Sequence, residues 1–381
     1  MAQTQIIHED DECVAIHLPG KSNFTLITFG GLTDRPNGLW FWGKDAAEKL
    51  GFDSIGILAK SVHWYPRSAI ERLVPAISDH SQASRVGYGF SMGAFGALKH
   101  GRLLGLTHVL ALSPVNYRLR KFLWRGDFSP EKNPDLIVSC QETAPINVQI
   151  VDPFFPEDLR HAELFASAGN IRTIRAPFVD HQTIALIRGS ANVERMIKFL
   201  LDNDVLAMSG FLNSNRRKAP DRASNLARAS LARGNISRAN QLWQKAHQTG
   251  VSSEIIEQVR IGGLIEQGRR ELARASGMKV QDIEIIIEKI SAQAPNSRRL
   301  QQELALWCEI YASPKAALAP LRRALKIAPK AIGRWLSLGR TLHAAGQTEE
   351  ALDTLHNALG VFGKSKELVS LINHLKTVSK K

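Results

Sequence analysis

Residues 85–101 read RVGYGFSMGAFGALKHG, and this stretch decides the fold. Arg85 to Gly89 reads as a short strand bounded by small residues. Gly89-Phe90-Ser91-Met92-Gly93 follows, a G-x-S-x-G motif, and AFGALKHG then opens a helix of small residues. A serine at such a strand–turn–helix junction sits on a sharp, strained turn. Gly89 and Gly93 leave room where a side chain would strike the adjoining strand or helix. The turn lifts Ser91 above the sheet and aims the following N–H groups, Met92 first, at the group Ser91 attacks.

Working outward, β-rich segments recur at 12–18, 23–29, 53–59, 107–113, 146–152 and 170–176. The first two are separated by PGKS (19–22), which reads as a hairpin turn. Helical patterns lie between the others: after Asp45, from Ser68 to His80, from Ala94 to Leu104, and from Thr183 to Leu201. Strands alternating with helices predict an α/β domain, a mostly parallel sheet covered on both faces. Ligands of such sheets bind beyond the carboxyl ends of the strands, so residues just after each strand are the candidates.

A nucleophilic serine needs a base, and the base needs an orienting acid. His181 follows the last strand and precedes the last helix, and is the expected base. His17 falls inside a strand pattern and reads as packed. His63, His100, His108 and His161 stand outside that terminal loop. Asp152 ends a strand one step before His181 and is the expected acid. Asp158, six residues on, is the alternative, with the competing reading of a helix N-cap. Asp180 is the sequence neighbour of His181, and adjacent side chains seldom meet. Oxyanion donors are expected from Gly31 or Leu32, in the Phe29-Gly30-Gly31-Leu32 loop, and from Met92.

The elbow at Gly89–Gly93, the Gly30-Gly31 loop and the chain order Ser91, Asp152, His181 resemble the α/β-hydrolase superfamily over residues 10–205. The resemblance implies a serine hydrolase working through a covalent acyl-enzyme. It also implies that 115–143 forms a cap, here cationic and aromatic with Arg118, Arg120, Phe122 and Trp124, unless it is a solvated helix. Trp40, Trp42, Trp64 and Tyr65 follow strands and are expected either to wall a pocket or to belong to the core. The acyl group itself is unspecified, and acyltransferase or peptidase chemistry would use the same parts. No phosphate-binding glycine loop follows the first strand and no metal-ligand spacing occurs, so no cofactor and no metal are expected.

The 381 residues are 44% hydrophobic and 22% charged, which excludes wholesale disorder and suits two domains. Residues 1–205 hold 21 Lys/Arg against 22 Asp/Glu, a net of −1, whereas 206–381 hold 28 against 14, a net of +14. Such asymmetry marks domains with different tasks. Residues 206–219 read as a linker. Beyond them Leu338, Gly339, Leu342, Ala351, Leu355 and Ala358, which follow Trp335, recur, displaced by 34 positions, as Leu304, Ala305, Cys308, Ala317, Leu321 and Ala324. These positions resemble tetratricopeptide repeats over 220–370, with the period broken near 254–263. The resemblance implies an all-helical solenoid at 220–381 that binds a protein, an acidic one by charge, or that self-associates. No nucleic-acid module is evident. The acidic N-terminus is unlike a secretory signal, no run is long enough to span a membrane, and the three cysteines lie far apart, so a cytoplasmic location is expected. A second reading makes the chain a non-catalytic scaffold of a secretion or envelope polysaccharide assembly pathway.

Overall fold

Eight strands among the described residues form one sheet: Gln5–Glu9 (β1), Cys13–Leu18 (β2), Thr25–Phe29 (β3), Asp53–Ala59 (β4), Arg85–Phe90 (β5), His108–Leu112 (β6), Ile146–Val151 (β7) and Ile171–Arg175 (β8). Their spatial order is β1-β2-β4-β3-β5-β6-β7-β8. The β1–β2 and β2–β4 pairs are antiparallel and all later pairs are parallel. This is a computed structural model, describing residues 3–116, 138–219, 221–274, 279–363 and 365–378. It resolves into two units, Met1–Arg222 and Ala223–Lys381.

The sheet of the first unit is apolar on both faces because helices cover both. One core joins Ile27, Phe29, Ile55 and Ile57 to helices Arg67–His80 (α2) and Met92–Lys99 (α3). The other joins Leu26, Val86, Leu110 and Ile150 to helices Lys44–Leu50 (α1) and Ser190–Leu201 (α5). Each helix carries the stripe its layer demands. In α5, for example, Val193, Met196, Ile197 and Leu200 are buried. Helix α4 (Pro156–Ala166) lies between β7 and β8 in the chain. With its strand order and crossovers the unit is an α/β-hydrolase fold.

Three expectations are corrected here, and one strand is added. PGKS is not a hairpin turn, because β4 lies between β2 and β3. The loop instead crosses the start of β4, where a Cβ on Gly20 would lie 2.1 Å from the Asp53 nitrogen. Strand β1, unread in the acidic N-terminus, joins β2 through a turn closed by Asp10, whose Oδ1 accepts the N–H groups of Glu12 and Cys13 at 2.8 Å each. The helix expected over 183–201 is a 3₁₀ turn, Thr183–Ile187, and then α5, broken at Gly189 with φ of 97°. The stretch 206–219, expected as a linker, is helix α6 (Val205–Lys218). Asp204 caps it through Ala207 N–H at 2.8 Å, and Met208 and Leu212, one turn apart, enter the second core. Its serines and asparagines masked that stripe.

The second unit contains, among the described residues, helices Arg222–Leu231 (α7), Ile236–Gln248 (α8), Ser253–Arg274 (α9), Val280–Gln293 (α10), Arg298–Tyr311 (α11), Pro314–Ile327 (α12), Ile332–Ala344 (α13), Thr348–Phe362 (α14) and Lys366–Val378 (α15). Starts at Arg298, Ile332 and Lys366 keep a 34-residue period, as in tetratricopeptide-like pairs. Within a pair the axes approach at a glycine: a Cβ on Gly339 of α13 would meet Leu355 of α14 at 2.8 Å. The period breaks near 254–263 within a helix. Helix α9 is 22 residues long and runs through that stretch.

Candidate active site

Strand β3 has β4 on one side and β5 on the other, so successive connections leave it in opposite directions. A crevice therefore opens beyond the carboxyl ends of β3 and β5, as at other topological switch points. Both the Gly30-Gly31 loop and Ser91 emerge there. Ser91 has φ of 55° and ψ of −118°, a strained backbone for a non-glycine residue. A Cβ on Gly93 would stand 2.2 Å from the Phe29 carbonyl oxygen, and one on Gly89 would stand 2.4 Å from the Gly93 carbonyl. Only glycine lets the strand, turn and helix close this tightly.

His181 Nε2 lies 3.0 Å from Ser91 Oγ. On the other side of the ring, Nδ1 lies 2.8 and 3.0 Å from the two oxygens of Asp158. A carboxylate can only accept, so Nδ1 carries the proton and Nε2 is left to receive that of Ser91. Asp158 is 2% exposed, on the first turn of α4, while His181 remains partly open to solvent. The Phe90 and Phe155 rings flank the imidazole with centroids 5.1 and 6.5 Å away.

The expected acid is thus corrected from Asp152 to Asp158 as the carboxylate at His181. Asp152 is fully buried, and its oxygens accept the N–H groups of Phe154 at 2.8 Å, Val179 at 2.9 Å and Asp180 at 2.8 Å. It ties the loop after β7 to the loop carrying His181. Phe178 and Asp180 in that loop have φ of 65° and 59°, so its path is constrained as well as bonded. Asp158 is not the helix cap either, because Phe155 occupies that position.

Met92, on the first turn of α3, and Leu32 have no acceptor for their N–H groups among the described residues. First-turn helix donors are orphaned by geometry, which accounts for Met92. The Gly31 N–H, by contrast, donates to Asp34 Oδ2 at 2.7 Å. Trp64 and Tyr65 are core rather than pocket wall, 3% and 1% exposed, with Trp64 edge-on to Phe95. Trp42 packs at 4.7 Å on Tyr88, and Trp40 is exposed. Arg118, Arg120, Phe122 and Trp124 lie outside the described residues. Sequence reading missed Asp34 and the two phenylalanines. Asp34 reaches back three residues to Gly31, which is not a turn pattern of its own, and nothing local marks the phenylalanines.

No known protein family matches the chain, and no curated protein does. Among solved structures, the chain is similar to a capsule O-acetyltransferase of Neisseria meningitidis serogroup A, at 14% identity over 51% of this chain and 92% of that one, with a TM-score of 0.40. A Pyrococcus furiosus esterase, Pf2001, aligns at 15% identity over 53% of this chain and 92% of that one, with a TM-score of 0.36. The tetratricopeptide-repeat domain of P58(IPK) aligns at 14% identity over 60% of this chain and 61% of that one, with a TM-score of 0.28. At these identities and scores the likenesses say nothing of activity. Among the described residues, no helix is long and apolar enough to cross a membrane.

Proposed function

We propose that residues 1–222 form a serine hydrolase that cleaves an acyl ester or thioester. The observation that carries this reading is the contact sequence Ser91 Oγ, His181 Nε2, His181 Nδ1, Asp158, at 3.0 and 2.8 Å on a strained elbow. Ser91 Oγ attacks the acyl carbonyl while its proton passes to His181 Nε2. The imidazolium so formed is held by the Asp158 carboxylate. The tetrahedral oxyanion is met by the Met92 N–H and by an N–H of the loop after β3. Collapse breaks the bond to the leaving oxygen or sulfur, which takes the proton from His181. Water then attacks the acyl-serine, gives a proton to His181, and frees the acid as that proton returns to Ser91. With a hydroxyl acceptor in place of water the same steps transfer the acyl group.

The second unit is read as a protein-binding module, its net positive charge favouring an acidic partner. A fluorophosphonate probe tests the catalytic reading. The wild type should label at Ser91 and Ser91→Ala should not, with hydrolysis across a p-nitrophenyl ester panel disappearing in the same variant. A folded wild type that neither labels nor turns over any ester would sink the reading and favour the scaffold.

A further inference from the structure

Two polar groups of a single peptide in the loop after β3 are already engaged. The Gly30 carbonyl accepts from the Tyr65 hydroxyl at 2.7 Å, and the Gly31 N–H donates to Asp34 Oδ2 at 2.7 Å. These belong to the same planar unit, in which C=O and N–H point in opposite directions. Turning the plane to bring the Gly31 N–H toward Ser91 would break a buried hydroxyl bond and a charge-assisted one together. One step back, the Gly30 N–H is held by the Ile57 carbonyl at 2.9 Å, so the loop has little slack.

Tyr65 is itself fixed. It and Trp64 have φ of 53° and 56°, two consecutive non-glycine residues in the left-handed region. The Tyr65 N–H donates to His63 Nδ1 at 3.1 Å, and its carbonyl accepts from His100 Nε2 at 2.8 Å. His63 in turn donates from Nε2 to the Glu12 carbonyl at 2.8 Å. Burial pushes the Tyr65 hydroxyl well above its usual range, so it stays a donor. Strain of this kind persists where the surroundings over-determine it, commonly beside a functional site.

We propose that Asp34 and Tyr65 are positioning residues that lock the Gly30–Gly31 peptide, so that the Leu32 N–H, and not that of Gly31, is the loop's oxyanion donor. The inference deepens the hydrolase reading above and rests on it. Its physical content is preorganisation: the peptide that follows the locked plane is oriented before substrate arrives, and no reorganisation is needed as charge develops. Asp34 touches no reacting atom. It acts through the backbone.

The test uses the full chain with p-nitrophenyl acetate and three variants, Asp34→Asn, Asp34→Ala and Tyr65→Phe, each checked for wild-type thermal stability. Asn keeps an acceptor at Gly31 and should hold kcat within about threefold, whereas Ala should lose about tenfold or more, short of the ~10²–10³ typical of deleting a donor outright. KM should stay within about twofold in both, because the oxyanion exists only in the transition state. Tyr65→Phe should behave like Asp34→Ala. Amide exchange supplies the independent readout: Gly31 should exchange more slowly than Leu32 in the wild type and at least about tenfold faster in Asp34→Ala. Unchanged kcat in Asp34→Ala, a loss not restored by Asn, or Gly31 exchange as fast as that of Leu32 would each overturn the lock. A wild type with no Ser91-dependent turnover would instead remove the hydrolase reading, and the donor assignment with it.

Discussion

Two aspartates six positions apart divide the work around His181. Asp158 contacts the ring, and Asp152 receives three backbone N–H groups and so shapes the loop that holds it. Substitution should separate the two. Asp158→Asn keeps the volume but lets the imidazole take the wrong tautomer, and kcat should fall about 10⁴-fold with thermal stability near that of the wild type. Asp152→Asn puts an amide NH2 against at least one of these backbone N–H donors and should cost about 1–3 kcal/mol of stability, read by denaturant unfolding. If Asp152→Asn were as stable as the wild type yet lost about 10⁴-fold in kcat, the roles of the two aspartates would be reversed.

At the scale of elements, glycines mark where backbones meet, and the cost of filling them depends on what they meet. A Cβ on Gly93 faces the Phe29 backbone oxygen at 2.2 Å, which cannot move without shifting β3. A Cβ on Gly339 faces the Leu355 side chain, with Cγ and Cδ2 both at 2.8 Å, which yields more readily than a strand backbone. Gly93→Ala should therefore cost about 3 kcal/mol, the upper end of overpacking, and abolish ester turnover, whereas Gly339→Ala should cost about 1 kcal/mol and leave turnover intact. Comparative thermal unfolding and a p-nitrophenyl ester assay check both. The helical stripes were legible because an apolar stripe recurs every three or four residues. The breaks were less so: Gly189, at φ of 97°, splits what the pattern presents as one helix, and α9 runs unbroken where the repeat period lapses.

Across the N-terminal unit, Asp53 joins three strands. It accepts from His17 Nε2 at 2.9 Å and Thr25 Oγ1 at 2.5 Å, where the loop from β2 to β3 crosses β4. Burial pushes this carboxyl upward, but the bonds from His17 and Thr25 outweigh it and hold it below its usual range. A carboxyl whose folded value is lowered stabilises the fold above its unfolded value, about pH 3.9, and that contribution is lost as pH falls through the lower folded value. The melting temperature of the wild type should therefore drop below about pH 4, and Asp53→Asn should show a lower melting temperature at neutral pH with a flatter acid limb. An acid limb unchanged by Asp53→Asn would assign the effect to other carboxylates.

Sequence alone marked the elbow, seven of the strands, His181 as the histidine beside Ser91 and the 34-residue helical repeat, because each rests on local spacing and on residue types with few alternatives. Strand order was another matter: PGKS suits a hairpin locally, and only the packing of β4 between β2 and β3 makes it a crossover. The choice between Asp152 and Asp158 was likewise tertiary. Which carboxylate reaches an imidazole more than twenty residues away depends on where α4 begins and how it lies on the sheet, and side-chain contacts across a fold leave no periodic trace in the chain that makes them.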